Sequence, residues 1–224
     1  MFVSEALASR YTCRAFRPDP VPRAVVESIL QGAARAPSGG NFQPWWLWAL
    51  AGEDLAALKS AVADKIAQGQ LLEGDLEYMI YPPDKEPYAS RRFSNGEAMY
   101  QALGVARDDG PGRLAQYARN FSFFGAPVGL LLAIDRTMLQ GQWADLGIFL
   151  QSIVLLAREH GLHTAALESW SLFHRTVREH VGMPDELMLY CGIALGYADT
   201  AAPVNRYRAD RAPLSEFAVL RGFE

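Results

Sequence analysis

The chain is short of lysine and cysteine and has no long apolar run, and each shortage removes a class of function. Lys59, Lys65 and Lys85 are the only lysines among 21 basic residues. An anion site here therefore has to be built from arginine forks or backbone amides, although a codon bias toward arginine produces the same ratio. The formal net charge is −4 and the basic residues are scattered. Nucleic acid, which needs a basic stripe, is not an expected partner. The two cysteines, Cys13 and Cys191, can form neither a disulfide framework nor a four-ligand zinc site, which suits a reducing compartment. No stretch approaches the roughly 18 uninterrupted apolar residues of a membrane span. The opening MFVSEALASRYTCRAF also lacks a continuous apolar leader core. A soluble, cytoplasmic protein with no membrane partner is expected.

Catalytic signatures are missing too. There is no Walker loop, no GxGxxG between a strand and a helix, no GxSxG elbow and no HExxH. The four histidines, His160, His163, His174 and His180, lack convincing metal-ligand partners, so they read as surface or supporting residues and no metal is assigned.

What the chain does contain is a mixture of helical and strand periodicities. Half of its 224 residues are apolar, which is ordinary for a folded protein of one domain spanning 1–224. Val25, Val26, Ile29, Leu30 and Ala33 share one face of a helix over 22–36, stopped by Pro37. A strand is expected over 44–50 and a helix over 54–68, with Asp54 as a possible cap. Residues 69–93 read as an ordered but irregular excursion able to cover a site. Residues 94–119 read as largely helical, with a Gly110-Pro111-Gly112 break. A buried strand over 126–134 precedes a very apolar helix over 137–160, which belongs in the core or at an interface. Then come a crossing segment over 162–170, a short helix over 172–181 and a strong strand over 187–198. The remainder, from Pro203, reads as an arm lying over the body or a partner. Without regular βαβ alternation the fold class is α+β with a central mixed β-sheet.

Three clusters carry potential chemistry. Arg10 and Arg14 stand four apart beside the hydroxyls of Tyr11 and Thr12, a set suited to a phosphate because charge-assisted forks bind strongly. Taken alone it equally describes a solvated turn. Ala36-Pro37-Ser38-Gly39-Gly40-Asn41-Phe42-Gln43 combines small residues, which let backbone approach a flat ligand, with polar side chains able to meet its edge; such a loop signal is common. Asn205-Arg206-Tyr207-Arg208 and Arg211 form a second arginine-dense stretch with no evident acidic partner.

These clusters also carry a resemblance. In order along the chain stand R-Y-T-C-R-A-F from Arg10, A-P-S-G-G-N-F-Q-P-W from Ala36, G-L-H-T-A-A-L-E-S-W from Gly161, C-G-I-A-L-G-Y from Cys191 and R-A-P-L from Arg211. The ordered set resembles the nitroreductase family of FMN-dependent NAD(P)H flavoenzymes and frames almost the whole chain, leaving about 52–118 as a variable middle. The resemblance implies a nitroreductase-like α+β sandwich, a homodimer with two FMN molecules at the subunit interface and the C-terminal arm on the partner. It implies that Arg10, Arg14 and Arg211, with Arg208 added, hold the phosphate, with local contacts from Tyr11 and Thr12. Pro37, Ser38, Gly39, Asn41 and Gln43 would reach the flavin from the other subunit, and Leu167, Glu168 and Ser169 would lie beside flavin N5, where backbone amides act.

The implied reaction is ping-pong transfer from NADH or NADPH through FMN to a nitroaromatic, a quinone or a similar small electrophile, with no protein nucleophile. The chain departs from the family pattern at Ser169, where many members carry glycine, and at Ala209, where a lysine is frequent; the second departure shifts the phosphate grip toward Arg208. Dehalogenation, ene reduction or flavin fragmentation on the same fold, or a non-catalytic FMN carrier or sensor, are the alternative readings.

Overall fold

The apolar periodicities become two helical layers around one sheet in a computed structural model that describes residues 1–223. The chain begins with α1 (Val3–Ser9) and α2 (Arg23–Ala33), then enters β1 (Trp45–Ala51) and α3 (Gly52–Ala67). An irregular stretch leads to α4 (Tyr88–Ala102) and α5 (Gly110–Ala118), and β2 (Val128–Asp135) and α6 (Gln140–Glu159) follow. The last elements are β3 (His163–Leu167), α7 (His174–Val181) and β4 (Leu187–Gly196). Short helical segments cover Arg119–Gly125 and Glu168–Phe173.

The sheet order is β1-β2-β4-β3, with antiparallel ladders throughout. The α+β architecture is as expected, but the direction of the sheet is corrected from mixed to antiparallel. The crossover through α6 sets β2 and β3 pointing the same way, and β4 then slots between them, antiparallel to both. A lone parallel bridge joins Thr12 to Thr164. Side chains of β2 alternate across the sheet: Leu130, Leu132 and Ile134 meet α2 and α6, while Leu131 and Ala133 face the layer of α3, α7 and the 119–125 turn. Both faces are covered, so β2 and β4 read as continuous apolar runs.

Strand β4 changes parity midway. Leu187 and Leu189 point to the α3/α7 layer, whereas Cys191, Ile193 and Leu195 point to the α2/α6 layer. The register against β2 shifts between Leu132 and Ala133, leaving Tyr190 as the extra residue of a bulge. Bulges re-aim side chains next to functional sites, and this one turns Tyr190 toward the cleft described below.

Several local expectations are corrected. Gly110-Pro111-Gly112 opens α5 instead of breaking a helix, because the Asp109 carboxylate accepts from Gly112 N at 2.9 Å and Pro111 lies in the first turn, where no intrahelical N–H is needed. Helix α3 starts at Gly52, so Asp54 lies inside its first turn and its carboxylate meets His180 Nε2 at 2.9 Å. Helix α1 had no periodicity strong enough to announce it. No helix among the described residues is long and apolar enough to cross a membrane.

Candidate functional site

The two ends of the chain are stapled together beside β3. After α1 the chain runs extended, and Cys13 N donates to Thr164 O at 3.0 Å. Buried Asn205 holds both termini: its Oδ1 accepts from Arg14 N at 2.8 Å, and its Nδ2 donates to Ala15 O at 2.7 Å and Asp199 O at 2.8 Å. The staple brings the two arginine clusters into one cavity of about 480 Å³, lined by Arg10, Tyr11, Thr12, Arg14, Arg208 and Arg211 among others. The Arg208 guanidinium lies 3.8 Å over the Tyr11 ring and donates to Asn205 O at 2.7 Å.

The cavity concentrates positive charge. None of Arg10, Arg14, Arg208 and Arg211 has a carboxylate within salt-bridge distance among the described residues. Burial, and then the charge of Arg211, lower the Arg10 pKa, and burial lowers that of Arg14. Gathering cations without counter-ions costs free energy, and an anionic ligand would offset that cost. Next to them, burial and then Arg158 and Arg208 press His163 down to about 4.

Thr12 and Arg14 also line a second cavity of about 350 Å³, so the two form one elongated cleft. Its floor is Ala166, Leu167, Glu168 and Ser169 at the end of β3, with Tyr190 from the bulge. Burial raises the Glu168 pKa, and the carboxylate accepts a 3.2 Å hydrogen bond from the Tyr190 hydroxyl. Ser169 Oγ is buried without a partner. Behind the floor Gly192 leaves room for Trp170: a Cβ there would come within 2.5 Å of the indole. Trp170 in turn stacks on Phe123 at 4.4 Å. Phe123 and Phe124 both adopt positive φ, 51° and 53°. Such backbone is strained in a bulky residue, and it presents Phe124 to the cleft.

The outer wall comes from the middle of the chain, where no motif had been legible: Ile80, Tyr81, Met99, Tyr100, Gln116, Tyr117 and Asn120. The stretch leading to it is anchored by two carboxylates. Buried Glu73 accepts from Thr176 N at 2.9 Å, from the Thr176 hydroxyl and from Lys65. Glu77 binds Arg136 and Arg178, with His174 Nδ1 at 3.3 Å. Tyr78 then donates to Tyr190 O at 2.5 Å, tying the excursion to the floor. The aromatics of 78–100 were the only available sequence signal for this wall.

Pro37, Ser38, Gly39, Asn41 and Gln43 line neither cavity within the chain. Their loop is nevertheless sharply defined. Ser38 Oγ accepts from Gln43 N at 3.0 Å, and Asp145 on α6 accepts from Gly39 N at 3.1 Å. Gly40, Asn41 and Gln43 all have positive φ, and Gln43, at 49°, is the unusual one. Among the described residues no group of three or more His, Cys, Asp or Glu is placed to hold a metal.

The cleft thus has an arginine-rich end without carboxylate partners and a partly aromatic chamber. The chain belongs to the Nitroreductase family, whose model matches residues 7–197. It is 36% identical over 219 residues to a 4-nitrobenzoate reductase of Pseudomonas putida, covering 97% of this chain and 95% of that one. It is 37% identical over 218 residues to a chloronitrobenzene nitroreductase of Comamonas testosteroni, covering 96% and 95%. Among solved structures, the FMN and NADPH-dependent nitroreductase NfnB of Sphigopyxis sp. strain HMH superposes with a TM-score of 0.95 at 47% identity, covering all of both chains.

Proposed function

We propose that the chain is an FMN-dependent oxidoreductase that uses NADH or NADPH to reduce nitroaromatics, quinones or similar electrophiles. The observation that carries this reading is the set of four arginines without carboxylate partners at one end of a cleft whose other end is an aromatic-lined chamber with a buried, unpartnered Ser169 hydroxyl. FMN fits both ends: one terminal phosphate for the guanidinium forks and a planar ring system for the chamber. The named activities of the relatives point to the same chemistry.

In this reading Arg10, Arg14, Arg208 and Arg211 hold the phosphate, with Tyr11 and Thr12 beside it. Leu167, Glu168 and Ser169 would hold the ring, their backbone amides orienting it and offering donors to developing negative charge. Bound FMN would supply the redox chemistry, a two-electron relay between NAD(P)H and the second substrate. Both substrates use the chamber beneath the outer wall in turn.

The same reading makes the chain one FMN-binding domain over 1–224 and the working unit a cytoplasmic homodimer. The loop of Pro37, Ser38, Gly39, Asn41 and Gln43, hydrogen-bonded in place but outside its own cleft, then serves the cleft of a second copy. Exposed Phe2, Val3, Phe217, Val219, Leu220 and Phe223 supply apolar surface for that contact. Released flavin identified by chromatography, with steady-state kinetics in both substrates, tests the proposal. FMN and parallel double-reciprocal lines are expected; FAD, no flavin, or intersecting lines would overturn it.

A further inference from the structure

The outer wall holds a largely buried polar side chain whose amide nitrogen the fold leaves without a protein partner among the described residues. Gln116, at the end of α5, is 8% exposed and lines the chamber. Its Oε1 accepts from Arg119 Nη1 at 3.4 Å, and no other side-chain bond to Gln116 exists among the described residues. A guanidinium can only donate, so the amide oxygen faces Arg119 and Nε2 is left to the chamber. Among the described residues Nε2 has no protein partner and, unlike Ser169 Oγ, is not sealed from solvent, so it is open to a ligand in the chamber.

The surroundings favour an acceptor, and a negative one. Arg119 has no carboxylate partner among the described residues and lies 5.8 Å from the Phe124 ring. Tyr100, also on this wall, is fixed by the Arg113 guanidinium 4.2 Å above its ring, which Glu97 holds at 2.7 Å and 3.0 Å. Burial and the neighbouring phenols raise the Tyr117 pKa, so its hydroxyl stays a donor. Glu168 is the one carboxyl lining the cleft. It is engaged by Tyr190, and burial favours its neutral form.

Resting on the nitroreductase reading above, we propose that Gln116, backed by Arg119 and flanked by Tyr100 and Tyr117, selects nitroarenes bearing a second, hydrogen-bond-accepting group on the ring, a carboxylate above all. Gln116 Nε2 donates to that group while the nitro end lies over the floor. Gln116 is a specificity residue: it touches the substrate away from the reacting atoms.

The test compares 4-nitrobenzoate with 4-nitrotoluene, similar in shape but without the acceptor, in the FMN-loaded protein. Gln116→Glu retains an acceptor for Arg119 and so keeps the wall intact, but removes the donor and adds a negative charge; Gln116→Leu removes both functions at similar volume. Each variant is expected to lower the 4-nitrobenzoate to 4-nitrotoluene ratio of kcat/KM roughly 10- to 150-fold, the effect of one charge-assisted hydrogen bond. A ratio unmoved in both variants, or an equal loss for both substrates, overturns the proposal. Binding of the same two compounds, followed by titration calorimetry, separates this inference from the function beneath it. If the wild type reduces neither compound yet binds 4-nitrobenzoate more tightly, and both variants erase that preference, the selectivity stands and the nitroreductase reading falls. If no binding preference exists, the selectivity falls.

Discussion

Replacing Arg10 with alanine should separate affinity for FMN from stability of the empty protein, and move them in opposite directions. Arg10 faces Arg211 across the cavity, and that like charge contributes to its lowered pKa. Without ligand the two guanidinium groups repel each other. Both are partly solvated, so removing one relieves no more than about 1 kcal/mol, and the apo-protein should be unchanged or slightly more stable. With FMN bound the sign reverses. Losing one charge-assisted contact to phosphate costs about 1.5–3 kcal/mol, which raises Kd roughly 10- to 150-fold. Arg14 is more enclosed and its backbone is clipped by Asn205, so Arg14→Ala should lie at the upper end of that range. Titration of apo-protein with FMN by flavin fluorescence, beside urea unfolding of apo-protein, reads both quantities. An unaltered Kd, or an apo-protein weakened by more than about 1 kcal/mol, would show that Arg10 is a structural residue and that the phosphate assignment is wrong.

Two further expectations concern the supporting framework. Burial alone would raise the Glu73 pKa, but hydrogen bonds from Lys65 and Thr176 outweigh it and hold the carboxyl below its ordinary value. Its stabilisation is therefore complete above the unfolded-state pKa and lost as pH falls through the folded one. Glu73→Gln should cost about 1–3 kcal/mol at neutral pH and progressively less in acid; urea unfolding at pH 7 and pH 3 checks this, and an equal cost at both would refute it. His163, pressed to about 4 by burial, Arg158 and Arg208, prefers to be neutral in the folded state. Its contribution is full above about pH 6.5, the unfolded-state value, and is lost as pH falls toward 4. After discounting for solvent contact, that loss amounts to about 1–2 kcal/mol. His163→Phe, which keeps a ring against Tyr11, should flatten this part of the stability profile, and an unchanged slope would sink the assignment.

Most elements were legible because their signals are local. The period of Val26, Ile29 and Ala33 in α2, and the continuous apolar runs of β2 and β4, follow from which faces are buried. Misreadings arose where one short cue had two meanings. Gly110-Pro111-Gly112 looks like an interruption until Asp109 is seen to cap it. A mixed sheet followed from irregular element order, because nothing in that order states that β4 inserts between β2 and β3. Among the site residues, Arg10, Tyr11, Thr12, Arg14, Arg208 and Arg211 were visible by type and do converge, as do Leu167, Glu168 and Ser169. Gln116 and Tyr190 were not, and Asn205 stood out only as a member of the arginine-dense stretch. Asn205 matters for what it bonds, Gln116 for what it leaves unbonded, and Tyr190 for a bulge that turns it.

Taken alone, the sequence determined which chemical groups were available: arginines in place of lysines, small and polar residues in one loop, and no nucleophile or metal motif, together with an ordered set of short motifs resembling one family. Local periodicity carried most of the helices and strands because it depends on neighbours three, four or two residues away. Only the tertiary structure decided that residues near 12 and near 208 share one cavity, since Asn205 joins segments about 190 residues apart. It alone placed the aromatics of the middle segment over the end of β3, through carboxylate anchors at Glu73 and Glu77. The physical reason is the same in each case. Convergence of charge, and the satisfaction or abandonment of a buried polar atom, are properties of distance through space, which spacing along the chain does not encode.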